Sequence, residues 1–524
     1  MKRVTMRFLP LLLVILMLLS VLAGCGYQQP NYDSNMNGTS DNPYYSGAEG
    51  VLDFQEIGGT DPDQNDETET IPENAFIDTS RQNVSTFSAD VDTASYAYFR
   101  KTVNNLLRQG ADPAAILKRL RGYATNFRTE EFLNYFRYSA NTPSEGELFG
   151  VTTAIAPCPW NPENQLLRLT LQAPITVTEG GNNLVFLIDV SGSMNSEDKL
   201  PLFKTSFSYL VNQLTAEDRV SIVTYSGKEE VILTGCPGSD KQTILEAVNN
   251  LSASGMTNGE AGLQKAYQIA SDYRIIGGNN RIIMASDGDL NVGISSASEL
   301  KSYVETKRDE GIFLSVLGFG TGNYRDSNME ALADNGNGVY YYIDGESEAK
   351  KVFGDDLLST LYTVAKDVKL QLTFDPTYVT AYRQIGYENR QLQQEDFDDD
   401  TKDAGEVGAG HQVTVFYELQ LSEKAATENA DANSEWMKLA VRYKEPTGDV
   451  SKLNEYSIGA ADRKEADSDF RFMVCVIEAV MVLRESRYLG DVTMETVLAQ
   501  LNSLDFDGYP YRAEFRSLIE AITL

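Results

Sequence analysis

Leu184-Val-Phe-Leu-Ile-Asp189-Val-Ser191-Gly-Ser193-Met194 is an apolar run broken by one aspartate and then two serines at alternate positions. A strand buried on both faces carries near-continuous hydrophobicity, so the run predicts a central strand of a parallel sheet covered by helices. Asp189 falls at its carboxyl end, where open α/β sheets place their ligands. One carboxylate and two hydroxyls converging there offer an oxygen site for a hard divalent cation.

Two later segments extend this pattern. Gly255-Met-Thr257-Asn-Gly259 precedes a helical stripe (Ala261, Leu263, Ala266, Tyr267, Ile269, Ala270) and brings a third hydroxyl. Arg281-Ile-Ile-Met-Ala-Ser286-Asp287-Gly288-Asp289 reads as a second strand ending in a carboxylate. With these segments the chain resembles the von Willebrand factor type A (VWA) domain, whose metal-ion-dependent adhesion site reads D-x-S-x-S, then T, then D. The matching residues are Asp189, Ser191, Ser193, Thr257 and Asp287. The resemblance implies that the serines ligate Mg²⁺ directly and the others directly or through water, with Mn²⁺ or Ca²⁺ as further candidates. Two carboxylates balance the ion's charge and three hydroxyls add none, so the metal stays electrophilic enough to take an acidic group from a protein partner. Ser286 stands where many members have Thr, at a position that is not a ligand. Asp289 reads equally as a support for a ligand or as a loop aspartate facing water.

The order of elements predicts an α/β, doubly wound domain. Lys199 to Leu214 carries a helical stripe (Leu202, Phe203, Phe207, Leu210, Val211, Leu214). Val220–Tyr225 and Val231–Thr234 are strands one short turn apart, so they should pair antiparallel at an edge. Helices at 298–308, 327–333 and 346–361 alternate with strands at 312–319 and 339–343. The Gly318-Phe-Gly320-Thr-Gly322 run reads as a plain strand-to-helix turn, because no G-x-x-x-x-G-K-[ST] accompanies it.

Lys2, Arg3 and Arg7 precede an apolar run from Phe8 to Ala23, closed by Leu22-Ala23-Gly24-Cys25. That is the pattern of a secretory signal. It resembles a bacterial lipobox, which would make Cys25 the lipid-bearing first residue of the mature protein, anchored to a membrane of the cell envelope through its acyl chains. Residues 1–24 are thus expected as a lipoprotein signal peptide. Residues 25–83 are expected as a disordered acidic tether, since from residue 26 on they carry twelve acidic residues against Arg81 and little to bury. As a flexible coil the tether would reach on the order of 40 Å. Phe472–Leu483 is apolar but short and contains Glu478, so it is expected as a core helix rather than a span.

The chain has 44 basic and 76 acidic residues, a net charge of −32. This argues against nucleic acid or anionic lipid as partners. The run Glu395-Asp-Phe-Asp-Asp-Asp400-Thr-Lys-Asp403 lacks EF-hand spacing and its turn glycine, so it is expected as a solvated hairpin loop.

Strand signals flank the VWA segment: 86–91, 151–156 and 166–171 before it, 368–374, 413–421 and 436–443 after it. The expectation is a VWA domain (181–365) inserted in a β-rich domain built from 84–180, which also carries helices at 96–107 and 130–136, and from 366–460. A helical segment (461–524) closes the chain. The flanking motifs Asn83-Val-Ser-Thr-Phe-Ser-Ala-Asp-Val-Asp-Thr-Ala-Ser-Tyr96, Ile155-Ala-Pro-Cys-Pro-Trp160-Asn-Pro, Gly386-Tyr-Glu-Asn-Arg390 and Asp403-Ala-Gly-Glu-Val-Gly-Ala-Gly-His411 resemble those of bacterial cell-envelope VWA lipoproteins. That resemblance implies binding rather than a known reaction.

His411 is the only histidine, so any Ser-His-Asp or Cys-His mechanism must use it. It leads into a strand, as a structural histidine does, and the oxygen-only site lacks the nitrogen ligands of catalytic zinc. The expected function is metal-dependent protein binding in adhesion or envelope scaffolding, not an enzyme. The alternatives are a metal-dependent hydrolase, which histidine poverty opposes, and a purely structural lipoprotein, which the five-residue site opposes. Lipidation of Cys25 leaves Cys158, Cys236 and Cys475, with either one disulfide or three free thiols open.

Overall fold

The computed structural model describes residues 72–523 apart from 125–126, 176–179, 256–258, 289–296, 321–325, 403, 427–432, 447 and 449. Cys25, the signal segment, Thr257 and Asp289 lie outside the described residues.

Every residue of the strand Asn182–Asp189 is buried. Its side chains alternate between two separate cores: Leu184, Phe186 and Ile188 on one face, Val185 and Leu187 on the other. The helix Leu200–Gln213 covers the first face, with Phe207 edge-on to Phe186 at 4.6 Å between ring centres. The helix Gly259–Asp272 covers the second through Leu263, Ala266, Tyr267 and Ala270. The sheet runs Tyr340–Ile343, Phe313–Phe319, Asn279–Ser286, Asn182–Asp189, Arg219–Tyr225, Glu229–Pro237. All neighbours are parallel except the last pair, the expected antiparallel edge. This is the doubly wound fold.

Strands from before and after this domain share two antiparallel sheets. One runs Ile77–Asp78, Val379–Ile385, Gln412–Leu421, Gln165–Gln172, Gly150–Pro157, with Leu169 opposite Val415. The other runs Gly405–Gly408, Thr363–Phe374, Glu435–Lys444, Lys452–Gly459, and Val84–Ser88 also pairs with Thr363–Phe374. Leu167, Leu169, Val413 and Val415 of the first sheet and Leu370, Leu372, Leu439 and Val441 of the second belong to one core. The inserted architecture is therefore the observed one.

The helical end is not a layer by itself. Ser468–Leu483, Met494–Asn502 and Pro510–Ile522 pack with the early helices Ala94–Arg108, Pro113–Arg121 and Thr129–Asn134 around a shared core. Phe136 meets Phe472 edge-on at 4.9 Å and Phe515 at 5.7 Å. Burying so many rings in one cluster ties the two flanks together. Ser468–Leu483 is the expected core helix, and among the described residues no helix is long and apolar enough to cross a membrane.

The structure departs from the sequence expectation at three places. The tether was expected to run to residue 83, but Ile77–Asp78 pairs with Tyr382 and Ala381, and the Asn74 amide donates to the Gln384 and Gly386 carbonyls. An unpaired sheet edge gives even polar residues a hydrogen-bonding template. The helix expected over 346–361 is three pieces, Glu346–Lys350, a π-helical turn Lys351–Asp355, and Leu357–Leu361. The acidic run at 395–403, described as far as Lys402, is largely exposed as expected but is not a hairpin loop: it starts in a 3-10 turn, Gln394–Phe397, Asp398 and Asp400 pair with Arg442, and Lys369 and Lys444 donate to the carbonyls of Asp396, Asp399 and Asp400.

Two of the distinctive flanking motifs, 83–96 and 386–390, meet at Arg390. Its guanidinium reaches Asp90 at 3.1 Å, Asp92 at 3.4 Å, and Glu330 of the inserted domain at 2.7 Å. Those motifs hold the insertion in place.

Candidate functional site

Asp189 is fully buried at the end of its strand, and the chain turns immediately after it. The Ser191 N–H donates to Asp189 Oδ1 at 2.7 Å, which fixes the carboxylate against the turn. A short 3-10 helix, Gly192–Asn195, then brings the Ser193 hydroxyl to 3.0 Å from that of Ser191. The turn is anchored on both sides: Val190 N–H donates to the Tyr225 carbonyl, Ser254 N–H to the Val190 carbonyl, and Gly192 N–H to the Gly255 carbonyl. Residues 254–255, just before the segment that carries Thr257, thus lie against the Asp189 turn. Gly255 has φ +83°, a left-handed conformation that suits glycine.

Asp287 follows the strand Asn279–Ser286, beside Asp189's own strand. Its charge reaches Asp189, whose carboxyl is pushed up to about 6, chiefly by burial and in part by Asp287, against the pull of the Ser191 hydrogen bonds. The Tyr225 phenol lies against the Asp189 carboxyl, yet among the described residues neither Asp189 Oδ2 nor the phenol oxygen makes a well-aligned hydrogen bond. A buried carboxylate oxygen without a donor is costly unless a charge completes it. Four of the five sequence-predicted residues, Asp189, Ser191, Ser193 and Asp287, therefore gather at one strand end. Their donors are all oxygen, the set a hard ion such as Mg²⁺ takes.

One participant escaped the sequence reading. Lys199 Nζ donates to Asp287 Oδ2 at 2.9 Å and to the Ser193 carbonyl at 2.9 Å. No spacing rule marks it, because it stands at the head of a helix whose apolar stripe alone is visible in sequence. The Gly318–Gly320 turn contributes to the same rim, where the Gly320 carbonyl accepts from Lys101 at 2.8 Å.

His411 stands apart from this constellation. It is buried, its Nδ1 accepts from the Gly408 N–H at 3.1 Å, and its Nε2 lies 3.3 Å from the Tyr341 hydroxyl. Burial pulls its pKa down to about 3, so the ring is neutral. Cys158, Cys236 and Cys475 are buried free thiols.

Family models divide the chain along the same lines as the fold. One for the von Willebrand factor type A domain matches residues 183–355, one described as von Willebrand factor matches 62–168, and one for the C-terminal part of Uncharacterized protein YfbK matches 359–524. The Escherichia coli protein of that name, Uncharacterized protein YfbK, is 40% identical over 461 residues, 83% of this chain and 77% of the relative. The chain belongs to the YfbK family of VWA-domain proteins. Outside the YfbK family, human inter-alpha-trypsin inhibitor heavy chain H3 is 27% identical over 191 residues, 34% of this chain and 21% of that one. A solved structure, von Willebrand factor type A from Catenulispora acidiphila, covers 74% of this chain and 91% of its own at 16% identity, with a TM-score of 0.40.

Proposed function

We propose that this YfbK-family protein is a lipid-anchored, extracytoplasmic adhesion or scaffolding protein whose VWA domain binds a protein partner through a divalent cation. Asp189, Ser191, Ser193 and Asp287, with Thr257, would hold the ion, Mg²⁺ by the donor chemistry. The observation that carries this reading is the buried Asp189 carboxylate, whose Oδ2 lacks a well-aligned donor among the described residues, near two paired hydroxyls and a second carboxylate. When bound, the ion supplies a Lewis-acidic position that accepts a carboxylate from the partner. The residues of the chain supply the rest. Ser191 N–H aims Asp189, the 3-10 turn presents both serines, and Asp287 closes the charge balance.

Binding rather than hydrolysis is supported by the state of His411, the only histidine in the sequence, which is buried, neutral and already engaged by Gly408 and Tyr341. The anchor rests on the Leu22-Ala23-Gly24-Cys25 motif. Metabolic labelling with a fatty acid should mark the wild-type protein and not Cys25→Ala, and undiminished label in the variant would contradict the anchor. Cross-linking to envelope proteins should be lost in EDTA and in Ser193→Ala. A partner retained equally under both conditions would contradict the metal-dependent reading.

A further inference from the structure

We infer that Lys199 is an internal competitor of the divalent cation: its ammonium, seated between Asp287 Oδ2 and the Ser193 carbonyl, sets the metal affinity of the site and must leave that seat before an ion is held. This inference rests on the metal-binding reading of the preceding section.

The seat is built rather than incidental. The Asp287 carboxylate is almost fully buried and the Lys199 side chain is 16% exposed, so the pair is screened little by solvent. The stem of Lys199 lies over Gly320, a residue with φ +90°, where a Cβ would overlap the lysine Cε. The missing side chain at the end of the strand Phe313–Phe319 is what admits the lysine. On the far side of Gly320, Lys101 donates to the Gly320 carbonyl and to the Tyr342 hydroxyl at 2.9 Å. Lys101 also pairs with Asp198 at 3.6 Å.

The charges decide the consequence. Asp189 and Asp287 together carry two negative charges, and Lys199 offsets one of them. A dication held by the same two carboxylates offsets both and leaves the ammonium surplus. A unit charge and a double charge within about 5 Å repel by roughly 10 kT at the effective dielectric of a protein surface. The ammonium therefore has to swing out, and Asp198, its own chain neighbour at 32% exposure, offers a carboxylate to receive it. Every ion bound is bound against that displacement.

The test uses Mg²⁺ and Mn²⁺ alone as probes, titrated calorimetrically into wild type, Lys199→Met and Lys199→Arg, with each protein also melted in EDTA. Methionine keeps an unbranched stem over Gly320 and removes the charge. Lys199→Met should bind both ions about tenfold tighter than wild type or better, by removal of that repulsion. It should melt lower than wild type in EDTA, because the Lys199–Asp287 ion pair is lost, with the gap closing at saturating metal. Lys199→Arg keeps the charge and should not show the gain. Equal or weaker binding by a cooperatively melting Lys199→Met, with wild type binding normally, would overturn the competition and leave the metal site standing. Binding by Lys199→Met where wild type shows none would support the competition strongly. Absence of binding in all three proteins would overturn both.

Discussion

Replacing Glu478 with glutamine should stabilise the protein, and by an amount that depends on pH. Glu478 lies on the helix Ser468–Leu483, fully buried in the helical core. Its Oε2 accepts from the Gln500 amide at 2.9 Å, and its Oε1 is buried with no hydrogen-bond partner among the described residues. Burial pushes its pKa from 4.5 up to about 7, against the opposing pull of Gln500. A carboxyl raised on folding binds more protons folded than unfolded between those two values. Stability therefore falls as pH rises from about 4.5 to about 7 and is flat above. Holding the anion at pH 8 costs about 3 kcal/mol, while at pH 5 the cost is under about 1 kcal/mol. Glu478→Gln removes the charge and keeps the shape, so its gain at pH 8 should exceed that at pH 5 by about 2–3 kcal/mol. Taking the difference cancels any pH-independent change in packing. For a folded body of several hundred residues this is a Tm difference of about 3 °C. Calorimetric or fluorescence melts of both proteins at the two pH values measure it. An effect of the same size at both, or a larger gain at pH 5, would refute the argument that burial dominates this carboxyl.

His411 works in the opposite direction: its pKa falls from 6.5 to about 3 on folding, so stability declines as pH falls below about 6.5. Between pH 7 and pH 5 wild type should lose about 2 kcal/mol on this account that His411→Gln does not lose, as read by urea unfolding at the two pH values. Arg390→Met strips the shared cation from Asp90, Asp92 and Glu330, and should cost about 3–5 kcal/mol. The loss should shrink as pH is lowered, because burial already pushes Asp92 and Glu330 up and protonation relieves them; a loss under about 1 kcal/mol at neutral pH would contradict the structural role of the flanking motifs.

Much of the fold and site was legible because the inserted domain writes plainly. A strand covered on both faces must be apolar throughout, and Asp189, Ser191 and Ser193 interrupt it at the spacing that turns three oxygens to one side of the strand end. Elements that satisfy polar groups internally were harder to see. The strand Val379–Ile385 hides its alternation because Arg383 is buried against Glu418 at 2.7 Å. The strand Lys452–Gly459 is an edge and mostly exposed over its first six residues, so it carries little apolar signal. Gly405–Gly408 is short and glycine-bounded, and a Cβ at either glycine would strike the backbone of Ala89 or Ser359. The helix Pro113–Arg121 buries only Ile116 and Leu120 and shows the same want of contrast in its sequence. The break in the helix after Lys350 coincides with the buried Lys351–Asp356 pair, two charged residues that a periodicity reading assigns to the surface. Lys199 was invisible because its partner Asp287 is 88 residues away and nothing local announces the contact.

The claim at the centre of this account is that Asp189 is the hub of a divalent-cation site, and titration of Mg²⁺ and Mn²⁺ into the wild-type protein and Asp189→Ala tests it most directly. Removing that carboxylate takes half the charge that offsets dehydration of a small ion, which gives up water reluctantly. The fold should persist, because Asp189 ends its strand and Leu184 to Ile188 keep their places in the two cores. Calorimetry should therefore show saturable binding by the wild type and none by the variant, with cooperative melting in both. Equal metal affinity in the two proteins would place the cation elsewhere and contradict the mechanism proposed here.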